Sequence, residues 1–440
     1  MSAQVDWISH PLGPLHGEIA VPGDKSISHR AVMLAALAEG TSHIDGFLEG
    51  EDTRATAAIF GTMGVRIETP SASRRIVHGV GLHGLSSPAG RLDCGNAGTG
   101  MRLLAGLLAG QGFDSVLTGD ESLSRRPMRR VIEPLTAMGA RIDARPGDLP
   151  PLRIQGGATL RALACTPPVA SAQVKSAILL AGLYADGETE VRETHPTRDY
   201  TERMLEAFGW PVEFGPGRAC LAGGHSLRAT DIIVPADFSS AAFFLVAASI
   251  VPGSNLLLRA VGLNPRRTGL LHALRLMGAD IREHDPREQG GEQVADLEVR
   301  HAALHGIDVP VGLVPDMIDE FPVLFVAAAA AQGVTTVRGA AELRVKESDR
   351  IASMARGLQQ LGIKVGETPD GAVIEGGVFG AGEVDSAGDH RIAMAFAIAG
   401  LIARGPVRIA DCANVATSFP GFVALARGVG FDLRERPASP

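Results

Sequence analysis

Gly23-Asp24-Lys25-Ser26-Ile27-Ser28-His29-Arg30 follows an apolar run ending in Val21-Pro22 and leads into Ala31-Val32-Met33-Leu34-Ala35-Ala36-Leu37-Ala38, closed by Gly40. The pattern predicts a strand, a turn and a helix, with Lys25, Ser26 and Arg30 in the turn and first helical turns. Backbone N–H groups at a helix start have no intrahelical partner, and the helix dipole favours negative charge there. A lysine, a hydroxyl and an arginine added to that end make an anion site. The bland alternative is a solvated helix start with ordinary surface charges. Gly17 to Ser26 is not a P-loop, because five residues separate Gly17 from Gly23 and Asp24 precedes the lysine. The P-loop pattern needs a shorter spacing and then Gly-Lys directly.

The same phrase recurs. Gly95-Asn96-Ala97-Gly98-Thr99-Gly100-Met101-Arg102 leads into an Ala/Leu-rich run ending near Gly112, and Ser171-Ala172-Gln173-Val174-Lys175 into one ending near Gly187. Asp237-Phe238-Ser239-Ser240, Asp319-Glu320-Phe321-Pro322 and Asp389-His390-Arg391 open three more, closed by Gly253, Gly333 and Gly405. Six polar heads, each followed by a helix apolar nearly all round and then a glycine, recur at intervals of roughly 70 residues, longer than the common solenoid periods. Such helices are expected to be buried, with glycine as the stop. Between them lie strand-like stretches such as Arg141-Ile142-Asp143 and Asp296-Leu297-Glu298-Val299. Polar, helix-like stretches there end in Met63-Gly64-Val65, Met138-Gly139-Ala140 and Met277-Gly278-Ala279. Each repeat reads as an α/β unit with one buried helix, one exposed helix and several strands. Six units divide into two domains of three, with a break near Pro235-Ala236-Asp237. Packing of the first strand with the C-terminal half would place a second crossover near Val21-Pro22.

The chain has 440 residues, too long for one ordinary core, and its 4% aromatic content leaves Ala, Leu, Val and Ile to build the interior. A net charge of −8 argues against nucleic acid or an acidic membrane as the main partner. No apolar run reaches the ~20 residues of a membrane helix, and the N-terminus lacks signal-peptide character, so a cytoplasmic location is expected. Cys94, Cys165, Cys220 and Cys412 are scattered, which suits a reducing compartment better than a disulfide framework or zinc site. His301 and His305 have zinc-protease spacing, but Ala302 stands where the glutamate would be. Neither a metal nor an organic cofactor is expected.

Cations collect in the heads and their loops: Lys25, Arg30, Arg102, Arg126, Lys175, Arg198, Lys346, Arg350 and Arg391. Guanidinium forks suit phosphate and carboxylate, and lysine supplies a compact charge. Gly95–Gly100 lets backbone N–H groups approach an anion, although glycine-rich turns are common. Ser124-Arg125-Arg126-Pro127-Met128-Arg129-Arg130, taken by itself, reads as a solvated basic turn sooner than as a binding loop. The Ser171-Ala172-Gln173 head either binds a polyol or caps its helix. Leu343-Arg344-Val345-Lys346-Glu347-Ser348-Asp349-Arg350 resembles a solvated helix face, yet it sets Glu347 between cations, while Asp319 heads an apolar helix. Two carboxylates in cation-rich surroundings can divide the work of base and acid. His390 takes a supporting place beside them, as Asn96 and Thr99 do in the glycine-rich head.

Gly23–Arg30, Gly95–Arg102, Ser171–Lys175, Leu343–Arg350 and Asp389–Met394 together resemble, in order and over essentially the whole chain, the 5-enolpyruvylshikimate-3-phosphate synthases. The resemblance implies an inside-out α/β barrel fold of two similar domains. Each holds three βαβαββ-type units with buried helices, closing like a clamp on a site in the cleft. The domains would be 22–236, the phosphoshikimate-binding half, and 1–21 with 237–440, with hinge crossovers near 21–22 and 235–238. It implies a monomer that transfers the enolpyruvyl group of phosphoenolpyruvate to the 5-hydroxyl of shikimate 3-phosphate, through a tetrahedral intermediate that loses phosphate. By resemblance, Lys25, Ser26, Arg30, Ser171, Ala172, Gln173, Arg198, Asp319 and Lys346 contact shikimate 3-phosphate. Lys25, Gly98, Arg126, Gln173, Arg350 and Arg391 contact phosphoenolpyruvate. Asp319 is the candidate base, with Glu347 and Lys25 as proton-transfer partners.

The chain also departs from the family pattern. Ala416-Thr417-Ser418-Phe419-Pro420 lacks the lysine that many members carry before Thr-Phe-Pro. Together with Ala172 and Ser-Ala-Gln-Val-Lys, this resembles the divergent branch that includes glyphosate-tolerant enzymes. Some tolerant members have alanine where this chain has Gly98, so glyphosate is still expected to inhibit, in competition with phosphoenolpyruvate. The rival enolpyruvyl transferases that act on UDP-N-acetylglucosamine typically have a cysteine in the loop corresponding to Asp120–Arg126, and here there is none. A non-catalytic sensor of phosphorylated metabolites would need the cations but not Asp319 and Glu347.

Overall fold

The computed structural model describes residues 5–437. Twelve α-helices, counted among the described residues, alternate in character along the chain. They are α1 (Lys25–Leu37), α2 (Glu51–Thr62), α3 (Gly98–Ala109), α4 (Arg129–Ala137), α5 (Ala172–Gly182), α6 (Tyr200–Ala207), α7 (Phe238–Ile250), α8 (Gly269–Leu276), α9 (Phe321–Ala330), α10 (Arg350–Gln360), α11 (His390–Gly400) and α12 (Phe422–Gly428).

The odd-numbered helices follow the six polar heads and are buried almost throughout, α7 along its whole length. Small side chains make this possible. Gly106 of α3 lies so close to α5 that a Cβ would fall 2.1 Å from the carbonyl oxygen of Ala177.

The even-numbered helices, expected to be exposed, are instead amphipathic and half-buried. α4 buries Val131 and Leu135, and α10 buries Ile351, Met354, Ala355 and Leu358, spacings that place them on one helical face. All six run into the same stop, a glycine between two apolar residues. Gly64, Gly139, Gly209, Gly278, Gly362 and Gly430 take φ between +80° and +112°, where only glycine escapes a steric cost.

Six small sheets, of three to five strands each, surround the buried helices. In three of them, the strand after a buried helix pairs in parallel with the strand before it and antiparallel with a third strand. Leu92–Asp93 and Ser115–Thr118 flank α3, Ala164–Cys165 and Glu188–Arg192 flank α5, and Gly382–Asp385 and Val407–Ala410 flank α11.

Contacts divide the chain into two units, one being Gly23–Val234 and the other the chain up to Pro22 together with that from Pro235 onward. Each has its own hydrophobic core. In the discontinuous unit α7, α9 and α11 pack on one another, and in Gly23–Val234 α3 packs on α1 and α5.

The strand expected before Lys25 is present as His16–Ile19, but it does not pair with the strand after α1. It pairs in parallel with Asn255–Gly262, which follows α7. Conversely, Leu227–Arg228 and Ile232–Ile233, which precede α7 in sequence, pair in parallel with Ala38–Asp45, which follows α1. The strands ahead of these two helices are thus exchanged. Proline, which has no N–H to continue a ladder, stands at both exits, as Pro22 and Pro235. The first strand, Val5–His10, sits between Val407–Ala410 and Asp432–Pro437, antiparallel to both.

Candidate active site

In Gly23–Val234 three buried helix starts carry the polar heads. Asp24 caps α1 by accepting from the Ile27 N–H at 2.9 Å, and it also accepts from the Tyr200 hydroxyl at 3.2 Å. Lys25 forms an ion pair with the buried Asp52, which opens α2. Arg30 lies deeper than the first helical turn and is buried. Its Nε donates to Thr201 Oγ1 at 2.7 Å, Nη2 to Ser176 Oγ at 2.8 Å and Nη1 to the Ser26 carbonyl at 2.9 Å. Burial, reinforced by the neighbouring Arg198 charge, brings the Arg30 guanidinium down to about 10. Beneath Lys25, buried His29 has its Nδ1 2.8 Å from Thr56 Oγ1. Burial, with help from Lys25 and Arg30, holds the His29 imidazole well below the usual histidine value.

The second and third heads are joined. Arg102 Nη1 donates to Gln173 Oε1 at 2.8 Å, and Gln173 Nε2 donates to Thr99 Oγ1 at 2.8 Å. Arg126 Nη2 donates to Asn96 Oδ1 at 2.9 Å and to Ser122 Oγ at 3.1 Å, while Asn96 Nδ2 donates to Asp120 at 2.7 Å. Gly98 lies between the two guanidinium groups. A Cβ there would stand 3.1 Å from Nη1 of Arg102 and 3.2 Å from Nη1 of Arg126. Ser171 stands at the N-cap position of α5, and its hydroxyl makes no cap bond to the helix. Within the basic turn, Arg125 pairs with Glu121 and Arg129 with Asp148, as a solvated turn requires, but Arg126 turns inward to Asn96.

In the other unit, Asp319, just ahead of α9, is ringed by cations. Arg267 Nη1 lies 3.4 Å from Oδ2, while Arg350 Nη1 at 3.6 Å and Lys346 Nζ at 3.9 Å approach Oδ1. Arg391 Nη1 donates to the Asp319 carbonyl at 3.1 Å. Arg350 is buried among carboxylates: Nη2 donates to Glu347 Oε2 at 2.6 Å and Nε to Asp389 Oδ2 at 2.8 Å. Burial opposes the charge of Arg350, yet Asp389 and Glu347 raise its pKa above the usual arginine value. Burial likewise opposes the charge of Asp389, and Arg350 nevertheless holds the carboxyl below the usual range. Asp389 caps α11 through the Arg391 N–H at 2.9 Å, with His390 buried as the first helical residue. Glu320 is buried beside Asp319, and burial pushes its carboxyl up.

The cation cluster read from the sequence therefore splits by role. Lys175 is not available to a ligand, because its Nζ is buried between Glu202, at 2.8 Å, and Glu193, at 3.0 Å. Burial works against that ammonium, and the two carboxylates still raise its pKa. In one unit the structure gathers Asn96, Gly98, Thr99, Arg126 and Gln173 around Arg102, and separately Ser26, Arg30 and Lys25 along α1. In the other it gathers Asp319, Lys346, Glu347, Arg350 and Arg391. Sequence reasoning missed Asp52, Arg267 and Glu320. Arg267 sits in an ordinary-looking loop, Asn264-Pro265-Arg266-Arg267-Thr268. The one available signal was the acidic start of α2, Glu51-Asp52, near the Lys25 head.

The model of the EPSP synthase (3-phosphoshikimate 1-carboxyvinyltransferase) family matches residues 10–425. A 3-phosphoshikimate 1-carboxyvinyltransferase of Xanthomonas campestris pv. campestris (strain B100) is 70% identical over 431 residues, covering 98% of each chain. One from Xanthomonas oryzae pv. oryzae (strain PXO99A) is 70% identical over 427 residues, covering 97% of each. The EPSP synthase structure from Acinetobacter baumannii superposes with a TM-score of 0.89 at 51% identity, covering 98% of this chain and 100% of that one. The enolpyruvyl transferase NikO from Streptomyces tendae shares the fold, with a TM-score of 0.80 at 17% identity over 99% of this chain and 100% of its own.

Proposed function

The chain belongs to the EPSP synthase family, and from that premise we propose that its two side-chain clusters divide the binding and proton-transfer work of that enzyme. The activity is that of a 3-phosphoshikimate 1-carboxyvinyltransferase of the shikimate pathway, serving aromatic amino acid biosynthesis. Shikimate 3-phosphate binds to Lys25, Ser26, Arg30, Ser171, the backbone of Ala172, Gln173 and Arg198, with Asp319 and Lys346 at its reacting side. Phosphoenolpyruvate binds to Lys25, Arg126, Gln173, Arg350, Arg391 and the open space at Gly98. Cations at helix starts offset the repulsion of two phosphates and a carboxylate and fix the reactants in place.

Asp319 takes the proton of the 5-hydroxyl as its oxygen bonds to C2 of phosphoenolpyruvate, and Glu347 or Lys25 delivers a proton to C3. In the second half the C2–phosphate bond breaks, C3 gives up a proton, and the enol ether and phosphate leave. The observation that carries this reading is Arg350, which faces Asp319 and bonds Glu347 and so sets two carboxylates around one fixed charge. Replacing Asp319 or Glu347 with alanine is expected to lower kcat at least ~100-fold, the scale of a lost acid or base. Near-normal turnover in either variant would remove that residue from the scheme.

The decisive assay is phosphate release from phosphoenolpyruvate with shikimate 3-phosphate, run in parallel with UDP-N-acetylglucosamine. Release is expected only with the first, and release only with the nucleotide sugar would overturn the substrate. Cys94, near the glycine-rich head, is buried and its thiol is pushed up by burial, so it supplies no reactive thiolate.

The motif at Ala416–Pro420 and Ala172 support a place in the divergent branch that includes glyphosate-tolerant enzymes, while the space at Gly98 supports inhibition by glyphosate in competition with phosphoenolpyruvate. The scattered reduced cysteines support a cytoplasmic protein, and the family default supports a monomer. Domains 22–236 and 1–21 with 237–440 act as the two substrate-handling halves, with crossovers near 21–22 and 235–238 as hinges. No helix among the described residues is long and apolar enough to cross a membrane.

A further inference from the structure

Arg267 lies in the loop before α8 and is 5% exposed. Its Nη2 donates to Asp237 Oδ1 at 3.1 Å and to Ser239 Oγ at 2.5 Å, both at the start of α7. Asp237 is itself fixed as the cap of α7, accepting from the N–H groups of Ser239 at 3.2 Å and Ser240 at 3.1 Å and from the Ser240 hydroxyl at 2.8 Å. The loop is pinned through Asn264, whose Nδ2 donates to the buried Glu292 at 3.0 Å and whose Oδ1 accepts from the Arg266 N–H at 2.9 Å. A guanidinium held this way cannot swing. Its other arm, Nη1, donates to Asp319 Oδ2 at 3.4 Å. Nη1 also lies 3.6 Å from Oε1 of the buried Glu320. Arg350 and Lys346 approach the other oxygen of Asp319, Oδ1, at 3.6 and 3.9 Å.

We propose that Arg267 is the positioning residue of the reaction base: it holds Oδ2 of Asp319 and so presents Oδ1, on the Lys346 and Arg350 side, as the oxygen that takes the hydroxyl proton. This rests on the reading of Asp319 as base. Arg267 touches no reacting atom. Its effect passes through the orientation of one carboxylate, where a small misplacement costs rate rather than affinity.

The test is steady-state kinetics of R267Q and R267K, alone and combined with D319N, with thermal melting of each protein. In R267Q, kcat is expected to fall ~100-fold, the scale of a misplaced catalytic group, with KM for both substrates within about threefold of the parent. R267K keeps the charge but not the two-armed span and is expected to lose about tenfold in kcat, and it carries the test alone if R267Q does not fold. In the D319N background neither substitution is expected to lower kcat further. A full, multiplicative loss in that background would overturn the proposal, since Arg267 would then act independently of Asp319. So would a tenfold rise in either KM with kcat held, which would make Arg267 a substrate ligand, and so would normal turnover in both single variants. Normal turnover in D319N alone would instead remove the base assignment and the proposal with it, an outcome distinct from a failure at Arg267.

Discussion

Gly98 sets the width of the gap between Arg102 and Arg126, two guanidinium groups that would each meet a Cβ at 3.1 to 3.2 Å. These contacts are tight but fall on the ends of flexible side chains, so Gly98→Ala is expected to fold and to displace one or both groups. KM for phosphoenolpyruvate should rise several-fold, and the concentration of glyphosate that halves activity should rise more, because the longer ligand needs the same space. Competitive inhibition assays read both. His29 makes a prediction about acid stability. Its folded-state pKa lies well below the ordinary 6.5, mainly through burial, so the unfolded chain binds the proton first. Its contribution is present above pH 6.5 and is lost as pH falls towards the folded value, with a slope of up to ~1.4 kcal/mol per pH unit. Urea unfolding of His29→Gln between pH 7 and 5 should show a flatter acid decline than the parent. Residues of this kind were only partly legible in the sequence. Lys25 and Asp319 announce themselves by lying in polar heads, and Arg126 and Glu347 by lying in dense charged runs. Lys175 looked the same but is neutralised by Glu193 and Glu202, and Arg267 gave no sign because its partners Asp237, Ser239 and Asp319 are far away in the chain.

The odd and even helices answer differently to the same substitution. Gly106→Ala would drive a methyl into the backbone of α5, with the Ala177 carbonyl oxygen at 2.1 Å, and is expected to cost at least ~1–3 kcal/mol as the helices move apart. Gly61, inside α2, has nothing within 4 Å of its Cβ position, and Gly61→Ala should be neutral or stabilise by up to ~1 kcal/mol. Denaturant midpoints at constant m-value compare the two. At this scale the sequence was most informative about the buried helices, since nothing but burial suits a run such as Val323 to Ala329. It was least informative about their amphipathic partners. The stop read as Met-Gly-Ala or a near equivalent appears in three repeats, but Phe208-Gly209-Trp210, Leu361-Gly362-Ile363 and Val429-Gly430-Phe431 do the same work with other apolar residues. The general rule is apolar, glycine, apolar, because the flanks need only to pack while the glycine must take a positive φ. Strand partners were illegible for a different reason: the exchange at Pro22 and Pro235 is a matter of pairing between segments about 200 residues apart, which no local periodicity encodes.

Over the whole molecule, Gly23–Val234 is continuous in sequence and has its own core and three complete sheets. Expressed alone, it is expected to fold with a cooperative thermal transition and both far- and near-ultraviolet circular dichroism; a helical far-ultraviolet spectrum with no near-ultraviolet signal and no transition would show that its core is insufficient. The discontinuous unit is in the opposite position. Its strand Val5–His10 lies between Val407–Ala410 and Asp432–Pro437, and Asp6 accepts from the Asp411 N–H across 405 positions and from Arg408. A ribosome therefore makes this strand before the whole of Gly23–Val234 and supplies both of its neighbours after it. Throughout translation Trp7 has no Phe422 to stack on, and the strand keeps two open edges while the whole of Gly23–Val234 emerges and can close behind it. The nascent chain thus carries an unpaired, aromatic β-segment for as long as the intervening ~400 residues take to be made.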